Sequence, residues 1–283
     1  MIQIQNALCR FPSFTLQIDD FYLKEGSMTA LVGLNGSGKT TLFRLLLGLK
    51  KPEQGTISLL DPNTGTLPVS VKQQIGVVLA DSGFPETLCL SDIARILAAY
   101  YPTFDWPYWK ALISKMRLPE HKPLSAFSNG MRAMSKVIAA LSHHPRFLLL
   151  DEPTAGLDIA ARQEIFGLLQ EYMMEDGRSI LISSHIASDL ETLCDDLWMI
   201  HDGRLCLHEN VDELQEEWGI LTLDQAQYEA LDKSAVFAHA PFGNTVRVLV
   251  SDRQFYQDNY PQYPAAKGSI DDLLLIAADG RKE

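Results

Sequence analysis

Gly33-Leu34-Asn35-Gly36-Ser37-Gly38-Lys39-Thr40, followed by Thr41, joins two segments of opposite character. Before it, Met28 to Val32 is a short apolar run that reads as a buried strand; after it, Thr40 to Leu49 carries apolar residues at helical spacing. A glycine-rich turn between strand and helix aims several backbone N–H groups at one point, and the helix N-terminus adds its positive dipole end. Lys39 is placed to neutralise the β- and γ-phosphates of a nucleotide, and Thr40 to offer its hydroxyl to Mg²⁺. The complete GxxxxGK[ST] pattern in this setting predicts half of a βαβ unit.

Outward from the loop, Ile75-Gly-Val-Val-Leu79, Phe147-Leu-Leu-Leu150 and Ser179-Ile-Leu-Ile-Ser183 read as further strands buried on both faces. Between the last two, residues from about Ile159 to Met174 carry a long helical pattern. Strand and helix alternate, which predicts an α/β domain. From Phe84 to about Leu118 the pattern turns helical, with Ser91 and Asp105 as expected caps and Pro107 near a helix start. This is read as the beginning of a helical insertion covering residues 84 to about 145. Past residue 212 the alternation fades, and residues 213–283 hold 12 acids against 6 bases, a local net of −6. They are read as a separate small module whose last helix starts at Ser269, with Asp272 three positions on.

Composition narrows the function. With 283 residues, 46% apolar and 21% charged, the chain holds one large domain or one plus an appendage, and is neither disordered nor a disulfide scaffold. Against 36 acids stand 24 bases, a net charge of −12 that repels phosphate backbones, so no nucleic-acid partner is expected. No apolar run approaches the roughly 18 residues that cross a bilayer, and the start, Met1-Ile2-Gln3-Ile4, lacks a basic segment followed by an apolar stretch, so a chain neither secreted nor self-inserting is expected. Cys9, Cys89, Cys194 and Cys206 form no CxxC pair, which suggests reduced thiols rather than a zinc site. His143 and His144 are adjacent and are expected at the surface, pointing apart.

A second chemical motif is Phe147-Leu-Leu-Leu-Asp151-Glu152, in which a buried strand delivers two acids to the sheet edge beside the phosphate loop. Asp151 can hold Mg²⁺ through water, and Glu152, one residue further, can activate an attacking water. Pro153-Thr-Ala-Gly-Leu-Asp158 follows, and His185 ends the next apolar strand.

In this order and spacing, Gly33 to Thr41, Asp151 to Asp158 and Ser183-Ser-His185 resemble the nucleotide-binding subunits of ATP-binding-cassette (ABC) transporters across residues 1 to about 212. The resemblance places that family's signature loop at Phe127-Ser128-Asn129-Gly130-Met131, where Ser128 and Gly130 keep the family letters. Met131, Met134, Val137, Ile138 and Leu141 then form an apolar helical face. The resemblance implies a P-loop NTPase core with an antiparallel β subdomain, a helical insertion and a small C-terminal α+β module.

It also implies roles. Two subunits sandwich ATP head to tail, Ser128 and Gly130 of one facing the γ-phosphate held by the other, with Asp158 crossing the interface. His185 becomes the switch histidine beside the γ-phosphate, and Phe11 the aromatic residue that stacks on adenine, while Phe14 and Phe21 are expected in the core. The family glutamine after the Ile75 strand is replaced by Ala80-Asp81, so Asp81 is either a substitute metal ligand or a plain loop acid. Six aromatics between Tyr100 and Trp109 are expected to be mostly core of the insertion, a few of them facing a permease. The finer pattern looks like the acetoin-utilisation and bacitracin-exporter branch. The implied activity is ATP hydrolysis with Mg²⁺ by a cytoplasmic subunit held at the inner membrane face by transmembrane partners. The alternative is a soluble ATPase of the same type acting on a non-membrane partner.

Overall fold

The computed structural model describes residues 2–59, 67–279 and 281–282. The chain begins with a hairpin, β1 (Ile2–Phe11) and β2 (Phe14–Leu23), then β3 (Met28–Val32) and helix α1 (Lys39–Leu46). β4 (Gln54–Leu59), α2 (Val69–Lys72) and β5 (Ile75–Val78) follow. The insertion contributes α3 (Leu90–Tyr100), α4 (Trp106–Lys115) and, after a 3-10 turn at Leu124–Ala126, α5 (Asn129–Leu141). The chain returns through β6 (Phe147–Asp151), α6 (Ile159–Met173), β7 (Ser179–Ser183), α7 (Ala187–Leu193), β8 (Asp196–His201), β9 (Arg204–Asn210) and α8 (Val211–Glu217).

These strands form one nine-stranded sheet in the order β4-β1-β2-β9-β8-β3-β7-β6-β5. β8, β3, β7, β6 and β5 are parallel, whereas β1 pairs antiparallel with β2 and β4. Side chains alternate between two cores. Ala30, Val32, Leu148, Leu150, Ile180 and Ile182 face α5 and α6, while Leu31, Leu149 and Leu181 face α1 and the antiparallel strands. That alternation locates the chemistry. Continuing it by one residue turns Asp151 and Ser183, register partners at the strand ends, toward the face that carries α1.

The insertion is helical as expected, with two local differences. Asp105 caps α4, accepting from the Tyr108 amide at 2.9 Å. The cap of α3, however, is Cys89 rather than Ser91, because Asp92 reaches back to the Cys89 amide at 3.1 Å and closes a capping box two residues earlier. His143 is not at the surface. It is 2% exposed, stacks on Tyr101 at 3.9 Å, and its Nε2 lies 3.3 Å from the Ile75 carbonyl. Burial depresses its pKa to about 4. His144 lies at the rim, paired with Asp105 and stacked on Tyr108. Of the aromatic run, Trp109 is fully buried, while Tyr100 and Trp106 remain exposed.

The remaining chain forms β10 (Gly219–Leu223), α9 (Gln225–Ala230), β11 (Val236–Phe242), β12 (Thr245–Val250), α10 (Arg253–Asn259), β13 (Ala266–Lys267), α11 (Ile270–Asp279) and β14 (Arg281–Lys282). Ser269 starts α11, accepting from the Asp272 amide at 3.2 Å. The second sheet has the order β13-β10-β12-β11-β14 with antiparallel pairs throughout. Its first four strands with α9 and α10 make a split βαβ arrangement, so strand and helix do alternate beyond residue 212. α9 and α10 cover one face through Tyr228, Leu231 and Tyr256. On the other face Ala238, Ala240, Leu249, Ile270 and Leu273 join the same buried cluster as α5, α6 and α7. A boundary at residue 212 falls inside α8, and the second sheet begins at Gly219.

Candidate active site

β3 delivers the chain into the glycine loop under steric constraint. A Cβ on Gly33 would lie 2.3 Å from the Ile200 carbonyl oxygen, so only glycine permits this approach. Gly38, at φ 116°, occupies the N-cap position of α1, and a Cβ there would meet Phe14 at 2.8 Å. No side chain caps α1. Its first N–H groups are thus without a side-chain acceptor, and the Ser37 hydroxyl is buried with no hydrogen-bond partner among the described residues. Lys39 is 7% exposed, and its ammonium donates to the Gly33 carbonyl at 2.7 Å and the Leu34 carbonyl at 3.3 Å. Burial lowers its pKa, against the opposing fields of Glu152 and Asp151.

The strand ends supply the acids. Asp151 is 1% exposed and accepts from Thr40 Oγ1 at 2.8 Å and from Ser183 Oγ at 2.6 Å. Two hard oxygens, from Thr40 and Asp151, stand together beside the loop, a donor set suited to Mg²⁺. Glu152 follows with a left-handed φ of 52°, uncommon for a side-chain-bearing residue, and its amide donates to Ser183 Oγ at 3.0 Å. That turn sends its carboxylate to His185, with Nδ1 and Oε2 2.7 Å apart. Phe14, Asn35, Thr41, Ala80, Asp151 and Glu152 all line one cavity of about 320 Å³ at the loop.

Asp81 is not among the residues lining that cavity. Its carboxylate pairs with Arg44 on the exposed side of α1, and Ala80 occupies the inward position. The loop-acid alternative describes its placement. The aromatic ring at the cavity is Phe14 rather than Phe11; Phe11 lies 5.9 Å from Phe14 with the Lys50 ammonium over its ring. Phe21 is buried in the core.

Ser128, Gly130 and Asp158 meet in a second cavity of about 320 Å³ that shares no lining residue with the first. Ser128 caps α5 by accepting from the Met131 amide at 3.2 Å, and Asp158 caps α6 through the Ala161 amide at 2.8 Å. Both residues therefore act as ordinary caps and also place two helix N-termini at one concave surface.

Ser183 stands in the sequence only as part of a motif, yet it bonds both acids. Its place at the end of an alternating strand, on the same face as Asp151, is the signal that identifies it.

A phosphate loop at the ends of the parallel strands of a mixed sheet, with one acid bonded to Thr40 and a second acid beside it, defines a nucleoside-triphosphate-hydrolysing class. The family model for ABC transporters matches residues 16–155. The ABC transporter ATP-binding protein YtrB of Bacillus subtilis (strain 168) is 32% identical over 196 residues, covering 69% of this chain and 67% of that protein. NatA of the same organism, also an ABC transporter ATP-binding protein, is 32% identical over 201 residues, covering 69% and 81%. Among solved structures, an ATP-binding subunit of an ABC transporter superposes with a TM-score of 0.69 at 26% identity, covering 76% of this chain and 92% of that one. A dimeric cassette in a post-hydrolysis state, bound to ADP and Pi, shares the fold with a TM-score of 0.64 at 22% identity. The chain belongs to the ATP-binding subunits of ABC transporters, an ATPase family. Among the described residues no helix is long and apolar enough to cross a membrane.

Proposed function

We propose that this subunit hydrolyses ATP at a site completed by a second cassette, and that closure of the two drives transmembrane permease subunits from the cytoplasmic side of the membrane. One observation carries the reading: the residues that would bind and cut a nucleotide and those that would cover its γ-phosphate lie in separate cavities of one chain. A second cassette facing the first head to tail would supply the missing half to each. The dimeric cassette bound to ADP and Pi supports such an arrangement.

Within the site, the N–H groups of α1 and the Lys39 ammonium bind phosphate oxygens, with Lys39 exchanging its two carbonyl partners for them. Thr40 and Asp151 would hold Mg²⁺, which supplies charge neutralisation between the β- and γ-phosphates when bound. Glu152 takes a proton from the attacking water. His185 leaves its present bond to Glu152 and holds that water or the γ-phosphate. Ser128 and Gly130 of the opposite copy offer a hydroxyl and backbone N–H groups, and Asp158 orders the contact between copies. Phe14 stacks on the base, with Phe11 behind it.

Glu152→Gln tests the assignment. It keeps the side-chain shape and a polar contact to His185 but cannot accept the proton. Hydrolysis should fall by roughly 10²–10⁴-fold, with ATP binding retained and an ATP-dependent dimer accumulating in size-exclusion chromatography. Unchanged turnover would remove Glu152 from its role.

A further inference from the structure

The geometry points to a positioning role for Arg162 and Glu191, which hold α7 from two sides and so set where the switch histidine stands. The inference rests on His185 contacting the attacking water or the γ-phosphate. α7 begins two residues after His185, has only seven residues, and receives no side-chain bond from its N-cap residue Ile186. A helix so short has little stability of its own, and tertiary contacts fix its place.

The first contact comes from the Asp158 loop. Arg162, in the first turn of α6, sets Nη1 3.3 Å from Asp189 Oδ1 on α7, while its Nη2 reaches the Leu157 carbonyl at 3.5 Å. The two side chains are 21% and 8% exposed, so the pair is little screened by solvent. Arg162 Nε and Asp189 Oδ2 are both buried without a partner among the described residues. Leaving buried polar atoms unpaired is costly, and a single hydrogen bond in this buried setting joins α6 to α7.

The other contact comes from the C-terminal module. Glu191 Oε1 accepts from the Ile270 amide, the first of α11, at 2.8 Å, and the Glu191 carbonyl accepts from Gln215 Nε2 at 3.1 Å. Ala187 and Leu190 share a buried cluster with Ile270 and Leu273. Residues from 219 onward thereby brace the outer side of the helix that follows His185. His185 itself is 55% exposed at the side chain and held chiefly by Glu152. Displacement of α7 is delivered to it directly.

The test uses the full chain with Arg162→Met, Arg162→Lys, Glu191→Ala and Glu191→Gln, each alone and combined with His185→Ala, following steady-state ATPase kinetics and the His185 ring signal by NMR without nucleotide. Arg162→Met should lower kcat roughly tenfold and Glu191→Ala roughly threefold, with KM unchanged because the phosphate loop is untouched. Arg162→Lys and Glu191→Gln, which keep the charge and the acceptor respectively, should recover much of the rate. The His185 signal should shift in Arg162→Met and Glu191→Ala, and neither change should add to the loss caused by His185→Ala. Parental kcat in both variants, an unmoved His185 signal, or losses that multiply with His185→Ala would each overturn the inference. Should Arg162→Met fail to fold, the Glu191 variants decide alone. Normal turnover by His185→Ala would instead strike at the role of His185, a failure distinct from that of the brace.

Discussion

The phosphate-loop cavity and the Ser128 cavity are similar in volume yet built by different means. The first sits at the ends of parallel strands, where the register of β6 against β7 sets Asp151 beside Ser183, and its polar groups already bond one another: Lys39 to carbonyls, Thr40 to Asp151, Glu152 to His185. The second is made from two helix starts capped by Ser128 and Asp158, and α5 reaches it through the insertion. Strand ends fix side chains to within a register step, whereas the start of α5, on the insertion, can be carried as a body. One edge is suited to chemistry and the other to arrival and departure.

The largest expected effect comes from separating the two edges. Lys39→Ala should disable the first, and Gly130→Asp the second, by placing a carboxylate where the proposed mechanism brings a phosphate and pressing on Ala161, 3.2 Å from the site of the added Cβ. Each variant should lose more than about 100-fold in turnover. If the second cassette is a copy of this chain, mixing the two should restore on the order of a quarter of the parental rate, since half of randomly paired dimers keep one intact site of two. No recovery on mixing would break the comparison.

Acid should distinguish the edges next. His143, just beyond α5, is neutral when folded with a pKa of about 4, against 6.5 when free. A depressed folded value means the unfolded chain binds more protons between those limits. The stability that His143 contributes is therefore complete above about pH 6.5 and lost as pH falls toward 4, in total about 3 kcal/mol. Hydrogen exchange should show α5 loosening in that window before β6 and β7, and His143→Phe should flatten the dependence.

Smaller again is the base subsite. Phe14→Ala should raise KM by an amount equivalent to about 1–3 kcal/mol, the worth of a stacked base, and Phe11→Ala by less. A larger effect at Phe11 would return the stacking role to it. Smallest is Asp81→Ala. As one partner of an exposed pair with Arg44, it should change turnover less than about twofold and stability by under about 1 kcal/mol.

How much of this is legible in the sequence follows from which contacts are local. The strands at Met28, Phe147 and Ser179 are readable because strands buried on both faces are continuous apolar runs, and the phosphate loop because its glycines and Lys39 are consecutive. Ser128 and Asp158 are readable as caps from their own neighbourhoods. Phe14 escapes the sequence because only the approach of β2 to Gly38, a tertiary event, brings its ring to the loop. His143 escapes it because adjacency to His144 says nothing about the Tyr101 stack above it or the Ile75 carbonyl beside it. Arg162 with Asp189, and Glu191 with Ile270, stand 27 and 79 residues apart, and no periodicity links them. The alternation beyond residue 212 is hidden because antiparallel strands with mixed faces carry weaker signals than parallel ones.

At one rim of the second sheet, β13 has only two residues. So brief a border gives a stray chain almost no ladder to extend, and such truncated rims are one way proteins avoid sticking together edge to edge. Under the proposed mechanism, in which two cassettes meet and part repeatedly, that border would help confine association to the face where it is wanted.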